Sequence, residues 1–245
     1  MAGHSKWAKV KHFKGAIDAK RARIFAKLSR EITIAAKLGG GDPDLNPRLR
    51  MVLLRCRNAS MPSDNIERAI KKGTGGADTS TYEDLTYEVF GPGGVAMLIE
   101  LSTDNRNRTA AEIRAILTRH GGGIASVGAV SRLFQRKGQI IVSREAGDED
   151  LIMGYALEAE AEEFLASSEG YEILTEPARF EAVHKRLEAS GVKPASAEVT
   201  YLPLLTTPVP AAATDGLNTL MEELEEHDDV KEVFSNAEFP EEAAG

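Results

Sequence analysis

The sequence predicts an α+β protein of three domains: an N-terminal three-helix bundle and two α/β domains with antiparallel-type sheets, one of them inserted in the other. Apolar residues recur with a helical period up to about residue 75, whereas short strand-like runs alternate with helical segments from Tyr82 onward. The last helix and strand are too few to fold alone, so they must complete a sheet begun earlier. With 245 residues, 42% hydrophobic and 28% charged, the chain is long enough for packed cores.

Charge is distributed unevenly along the chain. The first thirty residues hold nine Lys or Arg and one acid, Asp18, and the segment up to Gly75 holds 17 Lys or Arg against 6 Asp or Glu, a net charge of +11. The rest holds 13 against 32, a net charge of −19, within an overall −8. A compact basic module attracts polyanions through counterion release, and an acidic body resists non-specific association with them. The alternative is that the two parts neutralise each other across an internal interface.

The first helix is expected from Gly15 to Leu38, because the three glycines at 39–41 form a strong C-terminal signal. At about 100° per residue, the helix has one apolar face and a cationic stripe roughly 130° away. The apolar face comprises Ile17, Ile24, Leu28, Ile32 and Ala35, and the stripe comprises Lys20, Arg23, Lys27, Arg30 and Lys37. Such a helix packs with one side and presents cations on another.

Two shorter helices complete the expected bundle. Asn46 is the predicted N-cap of the second helix, with Pro47 in its first turn. The apolar spacing on this helix places Cys56 in the core as a small apolar residue. The third helix is expected to begin at Ser63 or Asp64 and to end at Gly73.

The remaining segments alternate between strands and helices. A hairpin around the turn "GPGG" precedes a helix capped at Asp104 or Asn105, and a second strand pair is expected around residues 136–138. Helix, strand, helix and strand follow, and "TTPVPAAAT" has the composition of a linker. The predicted domains are therefore residues 1–78, residues 79–136 with 206–245, and the inserted residues 137–205.

Patterns for catalysis or metal binding are weak. The histidines are too dispersed for a metal site, and His120 is expected to cap a helix. The single cysteine, Cys56, gives neither an internal disulfide nor a zinc pattern, and the glycine-rich segments do not continue as phosphate-binding loops. No apolar stretch is long enough for a membrane span, and the first thirty residues lack the apolar core that a secretory signal needs. We therefore expect no enzyme activity, cofactor, metal, small-molecule substrate or membrane partner, and a cytoplasmic location. The sequence leaves the oligomeric state open, with a monomer favoured.

Nucleic-acid binding has better support. Lysines near the start are interleaved with Trp7, His12 and Phe13, which places phosphate partners beside rings able to stack on bases. The candidate contact residues are Lys6, Trp7, Lys9, Lys11, His12, Lys14, Lys20, Arg21, Arg23, Lys27, Arg30, Arg48, Arg50, Lys71 and Lys72. A cationic tail with Trp7 packed on the bundle is the alternative. Arg106 and Arg108 form a candidate anion site at a helix N-terminus, although capping and internal ion pairs explain them equally well.

Several ordered segments carry a resemblance to a known family. They are "MAGHSKWAKVKH", "DAKRARIFAKLSREITIAAKLGGGDPDLNPRLR", "MPSDNIERAIKKGTGG", "GPGGVAMLIE", "TDNRNRTAAEIR", "LFQRKG" and "VKEVFSN". Together they resemble the YebC/PmpR family over nearly the whole chain. The resemblance implies three domains, one inserted in another, and a DNA-binding transcriptional regulator rather than an enzyme. It also leaves open a ribosome-associated translational activator that binds rRNA or mRNA, because a mitochondrial relative is known as a translational activator and bacterial members have been linked to the ribosome.

Overall fold

The computed structural model describes residues 18–76 and 81–239, and the chain folds into two compact units. The first unit contains the described residues 18–75 together with 136–201, and the second contains residue 76 and residues 81–135 together with 202–239. A helical region is followed by two sheet-containing domains, so the predicted α+β class is confirmed. No helix among the described residues is both long and apolar enough to cross a membrane.

The helical region of the first unit contains three helices, α1 (Asp18–Gly39), α2 (Pro47–Asn58) and α3 (Ser63–Thr74). Asn46 caps α2 as predicted, since its side-chain oxygen accepts a hydrogen bond from the backbone N–H of Leu49 at 3.1 Å. The same amide donates to the carbonyls of Ala35 and Gly40 at 2.9 and 2.8 Å. One buried side chain therefore fixes the end of α1, the loop and the start of α2 together.

The contact between α1 and α3 is closer than the sequence indicates. Gly73 is buried inside α3, which continues to Thr74, so the predicted stop at Gly73 is wrong. A Cβ atom at this position would overlap the carbonyl oxygen of Thr33 and lie 2.8 Å from the Cβ of Ala36. Gly73 is therefore a packing residue, whose missing side chain lets the two helix backbones approach.

Cys56 is buried in the core of the helical region, as predicted, beside the ion pair of Glu31 and Arg55. Burial is the main cause that raises the pKa of the thiol from 9.0 to about 11, and the nearby Glu31 carboxylate raises it further. At pH 8 we expect Cys56 to react with iodoacetamide about 100-fold more slowly than an exposed thiol, from its lower thiolate fraction alone. Native and urea-unfolded protein would be compared by mass spectrometry, and equal rates would contradict this environment.

The inserted domain of the first unit is a four-stranded sheet with two helices. Its elements are β4 (Phe134–Ser143), α5 (Glu149–Glu158), β5 (Glu163–Ala166), β6 (Gly170–Thr175), α6 (Phe180–Ala189) and β7 (Ser196–Pro203). The sheet order β5-β6-β4-β7 with the antiparallel pairs β4–β6 and β5–β6 is that of a split βαβ domain. Its core joins Ile140, Ile152, Tyr171 and Phe180.

The second unit is also built on a four-stranded sheet. Its elements are β1 (Glu83–Phe90), β2 (Ala96–Thr103), α4 (Arg106–Arg119), β3 (Gly123–Ile124), β8 (Thr207–Pro208), α7 (Ala211–Glu226), β9 (Val230–Ser235) and β10 (Ala237–Glu238). The strand order in the sheet is β3-β1-β2-β9. Strand β9 comes from the C-terminal segment and pairs with the central strand β2. The terminal helix and strand thus complete the earlier sheet, as the sequence predicts.

Two local expectations were wrong, and the cap at His120 is formed by its backbone rather than by its imidazole. No hairpin forms at residues 136–138, because β4 runs through them without a turn. The segment expected to be a linker contains β8, which pairs with β10, and the start of α7, which begins at Ala211. The imidazole of His120 lies 2.7 Å from Oε2 of Glu223 on α7, so it interacts across helices, while its backbone N–H forms the cap.

Candidate nucleic-acid interface

The first half of α1 presents a cationic ridge, defined here as Arg23, Lys27 and Arg30. Because of their i, i+4, i+7 spacing, the three side chains leave the helix within about 60° of one another around its axis. Arg23 is exposed, and Lys27 and Arg30 are half-buried. At about 1.5 Å rise per residue, the ridge covers roughly 10 Å of helix axis. This geometry places three positive charges in line along one side of the helix.

The ridge is shorter than the predicted stripe. Ile34 lies on the same side of α1, within about 40° of the ridge, and is only 2% exposed. All residues from 31 to 36 are buried, so packing surrounds the second half of the helix. Lys37 is therefore separated from the ridge by a buried turn. Arg21 lies on the opposite side of α1 and is exposed.

A second cationic group lies at the end of α3. Lys71 and Lys72 are exposed in its last turn, where cations also complement the helix dipole. The close contact of Gly73 with Thr33 and Ala36 places this turn against the last turns of α1. The two cationic groups thus lie toward opposite ends of α1 within one unit.

Arg50 is committed to contacts within the protein. Its Nε atom lies 2.9 Å from a carboxylate oxygen of Glu181, at the start of α6, and a terminal nitrogen donates to the carbonyl of Pro43 at 2.7 Å. Lys185 and Arg50 together hold the pKa of Glu181 below its ordinary value, the hydrogen bond from Lys185 being the largest cause. This arginine joins α2 to the inserted domain, which favours a structural role. Arg48, also on α2, is half-buried.

Arg106 and Arg108 lie in the second unit, at the N-terminus of α4. Arg108 donates to Asp104 at 3.0 Å and to the buried Asp229 at 2.8 Å, and Thr109 also donates to Asp229 at 2.6 Å. The pKa of Arg108 is raised, and its hydrogen bond to Asp229 is the largest cause. These contacts favour the internal-ion-pair alternative for Arg108, while Arg106 is exposed.

Part of the candidate set cannot be placed. The residues Lys6, Trp7, Lys9, Lys11, His12 and Lys14 lie outside the described residues. Lys20 lies in α1, and only its backbone is among the described parts of the chain. Among the described residues, no group of three or more His, Cys, Asp or Glu side chains is arranged to hold a metal ion.

One carboxylate organises a loop in the second unit, and no sequence pattern predicted it. Glu88 on β1 accepts hydrogen bonds from the backbone N–H groups of Gly128, Val130 and Ser131 at 2.6–2.8 Å. Desolvation raises the pKa of Glu88, but these bonds outweigh it and hold the pKa below its ordinary value. The loop so held carries Val127, which is 99% exposed.

Comparisons with known proteins cover nearly the whole chain. The family model of the TACO1/YebC N-terminal domain matches residues 5–76, and that of the TACO1/YebC second and third domain matches residues 82–237. A "probable transcriptional regulatory protein" of Dictyoglomus turgidum is 49% identical over 243 residues, covering 99% of this chain and 98% of the relative. A protein of Clostridium tetani with the same name is 48% identical over 246 residues and covers 100% of both chains. The crystal structure of a conserved hypothetical protein from Aquifex aeolicus has a TM-score of 0.79 and 41% identity, covering 92% of this chain and 93% of that one.

Proposed function

The chain belongs to the TACO1/YebC family, and on that premise we propose that it is a non-enzymatic regulator of transcription that binds duplex DNA through its helical region. The observation that carries the proposal is the α1 ridge of Arg23, Lys27 and Arg30 in an otherwise acidic protein. Lys71 and Lys72 extend the binding surface. The names of the relatives, which are those of transcriptional regulators, support the choice of DNA.

The ridge suits the phosphate backbone rather than the base edges. Phosphate contacts supply most non-specific affinity, and they need long cationic side chains along an element more than a fixed hydrogen-bond pattern. The flanking Lys6, Lys9, Lys11 and Lys14 add charge at the same end of the chain. Arg50 and Arg108 each hold a carboxylate within the protein, and we assign both to structural ion pairs.

Neutralising the ridge tests this proposal. The full-length triple variant Arg23→Gln, Lys27→Gln, Arg30→Gln is expected to bind a DNA duplex of about 20 base pairs at least about tenfold more weakly at about 50 mM salt. The loss of three phosphate contacts should reduce the slope of log binding constant against log salt concentration by about 2.7 in magnitude. Between about 50 and 200 mM salt, the unmodified protein should therefore lose about 40-fold more affinity than the variant. Fluorescence anisotropy measures both quantities.

A matched control separates the surface from the net charge. The control also loses three positive charges, but from exposed positions of the inserted domain: Lys185→Gln, Arg186→Gln and Lys193→Gln. This variant is expected to keep the salt slope, and an equal change in both variants would contradict a ridge-specific site. An RNA duplex of the same sequence is the second probe. Tighter binding to RNA than to DNA would replace the transcriptional assignment by the translational one.

A further inference from the structure

Helix α5 of the inserted domain exposes apolar side chains that its own core does not use. Ile152 and Ala156 are fully buried in that core, whereas Leu151 and Leu157 are 49% and 63% exposed. Leu151, Gly154 and Leu157 follow the i, i+3, i+6 spacing and share one side of the helix. We call these three residues the α5 face. Exposed apolar residues in register along a helix are a common feature of partner-binding surfaces.

Gly154 lies at the centre of this face. Glycine in a helix interior destabilises the helix by about 1 kcal/mol relative to alanine, so a glycine here indicates another requirement at this position. A Cβ at this position would meet no atom within 4 Å, so packing inside the protein does not require glycine here. A bare backbone between two leucines instead allows a second helix to approach closely, with its own apolar side chains seated between Leu151 and Leu157.

The charge around the face selects the partner. Between residues 145 and 178 the sequence holds eleven Asp or Glu and no Lys, Arg or His. Asp150 and Glu158 lie beside the two leucines, one in the first turn of α5 and one in the last, and both are exposed. Glu158 also contacts Arg186 at 3.0 Å, but an ion pair this exposed contributes little. A partner helix with Lys or Arg beside its apolar residues is complementary to this arrangement.

The same charges disfavour a second copy of this chain. The sequence D-L-x-x-G-x-x-L-E from Asp150 to Glu158 is symmetric about Gly154. Two copies packed antiparallel about that glycine would place Asp150 of each opposite Glu158 of the other, so like charges would meet at both ends. Association through this face is therefore more favourable with a basic helix.

We propose that the α5 face is a docking site for a basic amphipathic helix of a partner protein. Leu151 and Leu157 provide its apolar contacts, Gly154 allows close approach, and Asp150 and Glu158 bind flanking Lys or Arg. A helix of this length, about 15 Å, gives an interface below the standard size, so the contact is transient, with a Kd on the order of 10 μM.

The probe is a synthetic helical peptide of leucine and lysine, compared with its leucine and glutamate counterpart. Calorimetry with the full-length protein should show binding of the lysine peptide and at least about tenfold weaker binding of the glutamate peptide. Leu151→Ser with Leu157→Ser should weaken lysine-peptide binding at least about tenfold. Asp150→Lys should reduce the preference for the lysine peptide, because it reverses one of the selecting charges.

Leu165 supplies the matched control. It is 46% exposed on β5, and its neighbour Phe164 packs on the core beside Tyr171, so Leu165 lies on the sheet face away from the helices. Leu165→Ser should leave peptide binding unchanged, and an equal loss in this variant would overturn the proposal. Sedimentation equilibrium tests whether a second copy of the chain occupies the face instead. The proposal would also be overturned if the unmodified protein were a dimer and the Leu151→Ser, Leu157→Ser variant a monomer.

Discussion

Replacing Gly73 by alanine is expected to destabilise the helical region by about 3 kcal/mol, the upper part of the range for overpacking. The new methyl group would overlap the carbonyl oxygen of Thr33, a backbone atom that cannot rotate away, and would press on Ala36. The helices α1 and α3 must then separate, and the buried residues between them lose contacts. Because α3 carries Lys71 and Lys72 against α1, this separation would also change the proposed binding surface.

The thiol of Cys56 reports this change directly. If α1 and α3 separate, the core around Cys56 opens more often, and a loss of about 3 kcal/mol corresponds to roughly 100-fold faster alkylation. Gly154→Ala is the control in the same unit, because its Cβ meets no atom within 4 Å and alanine favours the helix. Alkylation of Gly73→Ala at the rate of the unmodified protein would contradict the close contact.

Local signals in the sequence predicted most of the helices and strands. Asn46 followed by Pro47 identifies the start of α2, because the capping bond spans only three residues and involves no distant partner. The apolar spacing likewise placed Cys56 in the core. Gly73 was misinterpreted, since a glycine near the end of a helical pattern has the same local appearance whether it ends the helix or packs against another one.

Long-range partners explain what the sequence could not predict about the site. Arg50 meets Glu181 and Arg108 meets Asp229, each from a distant part of the chain, and no local pattern indicates such pairs. Ile34 divides the predicted cationic stripe because it is buried, which a helical wheel alone does not show. Cation spacing therefore predicts candidates, and packing decides which of them face solvent.

Glu88→Ala is expected to release the loop that carries Val127 and to destabilise the second unit by about 2 kcal/mol. Three backbone N–H groups of residues 128–131 would lose their acceptor. A buried hydrogen bond to a charged acceptor contributes about 1.5–3 kcal/mol. The contribution of each bond is smaller here, because the Glu88 carboxylate is half-exposed. Hydrogen exchange should show lost protection at these three amides. Glu83→Gln, an exposed change on the same strand, is the control and should leave their protection intact.

The effect of Glu88 should also depend on pH. Its pKa in the folded protein lies below the ordinary value of 4.5, so the carboxylate stabilises the fold at pH values above about 4.5. As the pH falls through the lower, folded-state pKa, the carboxyl group is protonated and the stabilisation is lost. The difference in unfolding free energy between the unmodified protein and Glu88→Gln should therefore be largest near neutral pH and shrink in acid. A difference that stays constant from pH 7 to about 3 would show that the charge of Glu88 does not hold the loop, and that the Val127 segment keeps its shape by packing alone.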